Sequence, residues 1–207
     1  MDHRFQCRCG TVQGEIRHAR RGVRAVCHCR DCQAYAHVLG EPAAVLDAAG
    51  GTDIVASDAR SVRFTAGTDS LACLSLSPRG LLRWYARCCG TPIANTPRDA
   101  HLPYAGFVHT VLERPDPMER TFGPPLVHVN ARSARGPTPK RRPLAGWARF
   151  LVLMGRLNAA RLTGSWRRTP FFDAQGAPVA PVDLVPRERV EQARREVAAA
   201  GAGGVGR

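Results

Sequence analysis

Cys27, Cys29 and Cys32 fall in the stretch VCHCRDCQAY, three thiols within six positions. Thiolates at C-x-C and C-x2-C spacing suit zinc, because a tight turn aims their sulfurs at one point about 2.3 Å from the metal. A closed structural site needs four ligands, and no fourth cysteine lies near these three in the chain. The triplet therefore recruits His28, His37 or a distant residue, or it leaves a position to water or substrate, which is the mark of a catalytic zinc.

The other cysteines also cluster. Cys7 and Cys9 lie in CRCG, Cys88 and Cys89 in CCGTP, and each pair runs into a glycine that permits a knuckle-like turn. Cysteines adjacent or one residue apart are poorly placed to bond to each other, yet they can converge on an ion. Brought together by β pairing, the two pairs would supply four thiolates and a structural zinc joining the start of the chain to residue 89, a clamp on which a small β domain can depend for folding. Cys73, alternating with leucine in SLACLSLS, reads as a small core residue. With eight cysteines and no secretory signal in MDHRFQCRCG, the expected compartment is the cytoplasm and the expected roles are metal ligand or reactive thiol rather than disulfide.

The order CRCGTVQGEI, CHCRDC, CCGTPIANT resembles the glutathione-dependent formaldehyde-activating enzyme family, also called the centromere protein V family. That family's pattern is C-x-C, then C-x-C-x2-C, then an aromatic followed by C-x2-C-G-T-P, and the resemblance spans roughly residues 3–130. It implies an Mss4-like zinc-binding β fold (a β-tent) whose outer pairs hold a structural zinc and whose central triplet holds the zinc associated with activity. Cys7 and Cys9 match the first pair, Cys27, Cys29 and Cys32 the triplet, and Cys89 with Gly90, Thr91 and Pro92 the end of the last motif. Where the family has the first cysteine of the last motif, this chain has Ala86, so Cys88 would have to substitute. The outer site then has three possible outcomes: four thiolates, three with a foreign ligand, or none.

The activity implied by the resemblance is the condensation of glutathione with formaldehyde to S-hydroxymethylglutathione, or cleavage of such a carbon–sulfur bond. Cys27, Cys29 and Cys32 become the candidate catalytic residues, and Cys7, Cys9, Cys27, Cys29, Cys32, Cys88 and Cys89 the candidate ligands for one or two zinc ions per chain. The expected partners are a small thiol such as glutathione and an aldehyde. A zinc held by three thiolates, with one position free, binds a thiol as thiolate or polarises a carbonyl oxygen. Arg30 and Arg87 lie near the site in sequence and carry charge suited to the carboxylates of a glutathione-like ligand.

The elements that must position these residues read as mainly β, with a partly helical C-terminal extension. TVQGEI, GVRAV, TDIVAS, SVRFTAG, SLACLSLS, LLRWYA, AGFVHTVL and PLVHVNA are rich in β-branched and aromatic residues, with turn residues between many of them. Asp31 is a candidate N-cap for a short helix, CQAYAHVLG, ended by Gly40. RGPTPKRRP marks a boundary, giving a zinc-binding β domain over 1–136 and a basic extension over 137–207. In the extension, Leu144, Trp147, Leu151, Met154 and Leu157 have the spacing of one apolar helical face. A strand and turn follow in TPFFDAQGAPVAP, and Pro186 opens a last helix. His109 and His128 sit in alternating strand patterns and read as structural histidines, while Trp84 and Tyr85 read as core or pocket wall.

The formal charge is +13, and of 30 basic residues only Lys140 is lysine, which fits biased coding composition as readily as a selected surface. Residues 1–136 carry 17 basic and 12 acidic residues, whereas 137–207 carry 13 and 5, so the extension is the basic part. The alternative function is accordingly a zinc-stabilised binding module whose Arg141, Arg142, Arg149, Arg167 and Arg168 contact nucleic acid or an acidic partner. No apolar run is long enough to span a bilayer, and no Ser-His-Asp arrangement, phosphate loop or nucleotide fingerprint is visible.

Overall fold

The computed structural model describes residues 1–139 and 143–202. Lys140, Arg141 and Arg142, in the middle of the expected boundary, lie outside the described residues, as does the glycine-rich end from 203.

The elements run β1 (His3–Gln6), β2 (Gln13–Ile16), β3 (Val23–Cys27), α1 (Arg30–Val38), α2 (Pro42–Val45), β4 (Thr52–Asp58), β5 (Val62–Ala66), β6 (Leu71–Ser75), β7 (Leu82–Ala86) and β8 (Thr91–Thr96). They continue with β9 (Tyr104–Val108), α3 (His109–Leu112), α4 (Met118–Phe122), β10 (Val127–Val129), α5 (Pro143–Leu162), β11 (Val182–Leu184) and α6 (Arg187–Ala202). The fold is mainly β, with a C-terminal part that is largely helical. Strands β1, β2 and β5 form a small antiparallel sheet; the large sheet has the order β10-β3-β4-β9-β8-β7-β6-β11, with β10 and β11 added in parallel at its edges.

Three layers result, and the two-residue alternation of the strands assigns each side chain to one of them. On one face of the large sheet, Val55, Leu71, Cys73, Trp84 and Phe107 join Phe5 and Val62 of the small sheet in the main core. On the other face, Ala56 and Val23 meet Leu153 and Leu157 of α5, while Leu74 meets Tyr35 of α1 and Val190 of α6. Covered on both sides, β3, β6 and β8 are buried along their whole length, which is why β3 and β6 read as largely apolar runs.

The segment after 137 shares this packing. Trp166, Phe171 and Phe172 lie in the main core, with Phe171 5.2 Å from Trp84 and 5.7 Å from Phe64 between ring centroids. Helix α5 follows the expected face only in its second half: Met154 and Leu157 pack on the sheet with Leu153, whereas Leu144, Trp147 and Leu151 of the first half are exposed. Gly146 explains the difference, because a Cβ there would meet Val127 Cγ1 at 2.7 Å and Leu126 Cβ at 3.0 Å, so the helix backbone itself packs on β10. Helix α1 is capped by Cys29 rather than Asp31; its Sγ accepts from the Cys32 amide at 3.3 Å. His109 opens α3 instead of continuing a strand. Among the described residues, no helix is long and apolar enough to cross a membrane.

Candidate metal centre

Two cysteine groups come together, each with its sulfurs within 4.8 Å of one another: Cys7, Cys9, Cys88 and Cys89, and Cys27, Cys29 and Cys32. Both are groups that could hold a metal ion.

The outer group joins the two sheets. Cys7 and Cys9 follow β1 in the small sheet, whereas Cys88 and Cys89 sit in the turn from β7 to β8 in the large one. Sulfur separations are 3.5 Å for Cys7–Cys9, 3.9 Å for Cys7–Cys88, 3.3 Å for Cys9–Cys88 and 3.9 Å for Cys88–Cys89. A tetrahedron with bonds of about 2.3 Å needs about 3.8 Å between sulfurs, so the donor set fits a four-thiolate ion. Despite Ala86, four cysteines come together here, with Cys88 among them. Ala86 is fully buried at the end of β7, its carbonyl accepts from the amides of Cys89 and Gly90, and Gly90 takes a positive φ of 69°. This tight turn swings Cys88 toward Cys9 and lets two adjacent cysteines serve one point. Hydrogen bonds from the Thr11 side chain and backbone lower the Cys9 thiol to about 6.

The triplet lies where β3 runs into α1. Cys27 ends the strand, Cys29 caps the helix and Cys32 occupies its first turn, with Cys32 Sγ 3.8 Å from Cys27 Sγ. Among the described residues no histidine, carboxylate or further cysteine completes the group. His37 instead places Nδ1 3.0 Å from Glu196 Oε2, and His28 turns away to stack on His128, Nε2 to Nδ1 3.1 Å.

Three sets of donors face the triplet sulfurs. The α1 amide of Cys32 reaches Cys29, Asn130 Nδ2 reaches Cys27 at 3.7 Å, and Arg83 Nη1 reaches Cys32 at 3.9 Å. Arg83 is only 3% exposed; it also donates to Asn95 Oδ1 at 3.2 Å and stacks on the Tyr35 ring at 4.8 Å. No carboxylate pairs with it among the described residues. A buried guanidinium without a counter-charge is costly, and the anion available to it is the sulfur cluster. Three thiolates around a divalent ion would carry one net negative charge, which Arg83 is placed to balance. Without metal, hydrogen bonds from Cys27 and Cys29 lower the Cys32 thiol against the effect of burial, with Arg83 lowering it further, whereas hydrogen bonds to Cys27 and Cys32, together with burial, push Cys29 up.

A cavity of about 320 Å³ opens on all three cysteines. It lies between α5 and the outer face of the large sheet, walled at a period of two by Val23 and Ala25, Ile54 and Ala56, and Val127 and Val129. Gly146, Trp147 and Phe150 of α5 close it. The two arginines expected near the site lie elsewhere: Arg30 lines a separate cleft, and Arg87 is exposed after β7. Arg83 was not expected, although an arginine between Leu82 and Trp84 in an otherwise apolar strand is a signal of a buried charge with a purpose.

Residues 3–183, most of the chain, match a family described as of unknown function (DUF6151), and the chain belongs to that family. A crystal structure of a Rhodobacter sphaeroides protein, a Northeast Structural Genomics target, is similar at 17% identity, over 61% of this chain and 99% of that one, with a TM-score of 0.40. No curated protein matches the chain.

Proposed function

We propose, for this member of a family without an assigned activity, that the chain holds zinc at both cysteine groups and that the triplet's ion serves a carbon–sulfur reaction between a small thiol and an aldehyde. The observation that carries the proposal is the pairing of buried Arg83, which lacks a carboxylate, with a three-cysteine group lying at the base of a cavity. Thiolate-rich sites of this geometry favour zinc among common ions.

When bound, such an ion lowers the pKa of a substrate thiol and polarises a carbonyl. The reaction balances without a further co-reactant. The thiol gives its proton to solvent, its sulfur attacks the aldehyde carbon, the carbonyl π pair moves to oxygen, and solvent returns a proton to give RS–CH(R′)–OH. The reverse breaks the same carbon–sulfur bond. Asn130, Arg83 and the α1 amide would support the three cysteine sulfurs as thiolates once a metal ion has displaced their protons, and the apolar wall limits water at the reacting atoms. Fold and family leave the chemistry open, so the test is direct. Exchange NMR of thiol–formaldehyde mixtures should show interconversion faster than the uncatalysed rate with the wild type and at that rate with Cys29→Ser; equal exchange in both would refute the reading.

A second reading has one observation in its favour. A cleft of about 500 Å³ between α1 and α6 is lined by Arg30, Arg132, Arg135 and Arg194, a surface suited to an acidic partner or nucleic acid. Of the arginines expected to serve it, Arg141 and Arg142 lie outside the described residues, Arg149 donates to the carbonyls of Arg20 and Gly22, and Arg167 stacks on Trp166. Binding to single-stranded DNA that weakens steeply with salt and fails in Arg132→Ala/Arg135→Ala would support it; salt-insensitive or absent binding would remove it.

A further inference from the structure

The cavity on the triplet has a chemical character that the cysteines alone do not dictate. Its floor is three sulfurs and its walls are hydrocarbon: Val23 and Ile54 from the sheet, Val127 from the edge strand, Trp147 and Phe150 from α5. Among the described residues, no charged side chain lines it. Three uncharged polar side chains join this lining: Asn95 Oδ1 accepts from Arg83, Asn130 Nδ2 donates to Cys27, and Tyr104 adds one hydroxyl, which suits the oxygen of an aldehyde adduct but balances no charge. Arg83 itself is buried and is not among the residues that line the cavity.

A peptide thiol such as glutathione would bring two carboxylates and an ammonium to this space. Those charges would lose water and find no charged partner among the described lining residues. An alkyl or aryl thiol would instead place its sulfur among the cysteine sulfurs and its hydrocarbon against Ile54, Val127 and Phe150. Trp147 is half-exposed while lining the cavity, which puts it at the mouth, where the ligand's tail would leave.

We infer that the ligand of the triplet site is a small uncharged, apolar thiol, or its aldehyde adduct, and that α5 selects it. The inference rests on the reading of the triplet as a thiol-binding zinc site and adds the substrate class to it. It also gives α5 a use: the close approach at Gly146 lays the helix over the sheet and turns an exposed β surface into an enclosed one.

The test uses the full-length protein with cobalt(II) in place of zinc, so that thiol binding is read from the ligand-field and charge-transfer bands rather than from turnover. A series from ethanethiol to hexanethiol should tighten about fourfold per added methylene, the increment expected for burying one CH₂, and glutathione should bind more weakly than butanethiol. In Trp147→Ala and Phe150→Ser the chain-length dependence should flatten while metal content and melting temperature stay close to wild type. Tighter binding of glutathione than of hexanethiol, or no dependence on chain length, would overturn the substrate class and leave the thiol-binding site standing. Cobalt bands that no thiol perturbs would overturn both.

Discussion

Cys9 Sγ lies 3.3 Å from Cys88 Sγ although the two cysteines belong to turns of different sheets. Arg8, in the same turn as Cys9, already ties the two sheets, its amide donating to Thr91 Oγ1 at 3.1 Å and its guanidinium to the Cys89 carbonyl at 2.9 Å, and an ion at this point would act as a further staple between layers. Cys9→Ser or Cys88→Ser should release one zinc per chain and lower the melting temperature by roughly 5–10 °C, the range for losing a few kcal/mol in a chain of this size. Cys73→Ser, a buried core cysteine outside both groups, should leave the metal content unchanged. Metal analysis and calorimetry on the three variants check the assignment.

The Arg83 guanidinium and the Cys32 sulfur form the second relationship. If the cation balances a metal–thiolate cluster, Arg83→Met should weaken zinc at the triplet by about 10–100-fold, as loss of a group that supports a ligand commonly does. Arg83→Lys should recover part of that loss, since it keeps the charge but not the contact with Asn95. Competition with a chromophoric chelator measures the affinities. A neutral structural role for Arg83 would predict equal affinity in all three proteins.

Phe171 tests the part played by the C-terminal segment. It is fully buried against Trp84 and Phe64, so Phe171→Ala should cost about 3–5 kcal/mol. A chain ending at 136 should fail to give a cooperative transition, because it would also lose α5 and α6 from the outer face of the sheet. Urea denaturation of both proteins provides the comparison.

His3 supplies a pH dependence. It is buried, its Nε2 donates to the Leu112 carbonyl at 2.7 Å, and its Nδ1 accepts from Thr121 at 2.9 Å, the pattern of a neutral ring. Burial holds its pKa below the usual 6.5, outweighing the Leu112 carbonyl and the nearby Asp116 and Glu113, which raise it. The unfolded chain therefore binds the proton first as pH falls. The contribution is complete above about pH 6.5 and declines below it, by at most about 1.4 kcal/mol per pH unit. Denaturation at pH 7.5, 7 and 6 should show a shallower decline in His3→Gln than in the wild type; parallel profiles would contradict this.

Much of the molecule was legible in its sequence, and the exceptions have physical causes. The alternation in SLACLSLS and the apolar run GVRAV locate β6 and β3, because a sheet covered on both faces leaves little room for polar residues. Strand β1 has only four residues, and β8 opens with Thr91 and Pro92 and carries Asn95, so neither shows a strand pattern. The first half of the α5 face differs from the pattern because periodicity counts large apolar residues, whereas there a glycine makes the close contact; Met154 and Leu157 pack as their spacing predicts. The two cysteine groups follow from spacing, but the role of Cys88 depended on a turn geometry that no spacing encodes. The cavity was hidden for a similar reason: its walls come from β3, β4, β9, β10 and α5, and only the fold brings them together.

Zinc stoichiometry tests the central claim most directly. Native mass spectrometry of protein purified without chelator should find two zinc ions per wild-type chain and one in Cys29→Ser, with the remaining ion at the outer cysteines. A wild type without zinc, or a Cys29→Ser variant that keeps both ions, would contradict the account.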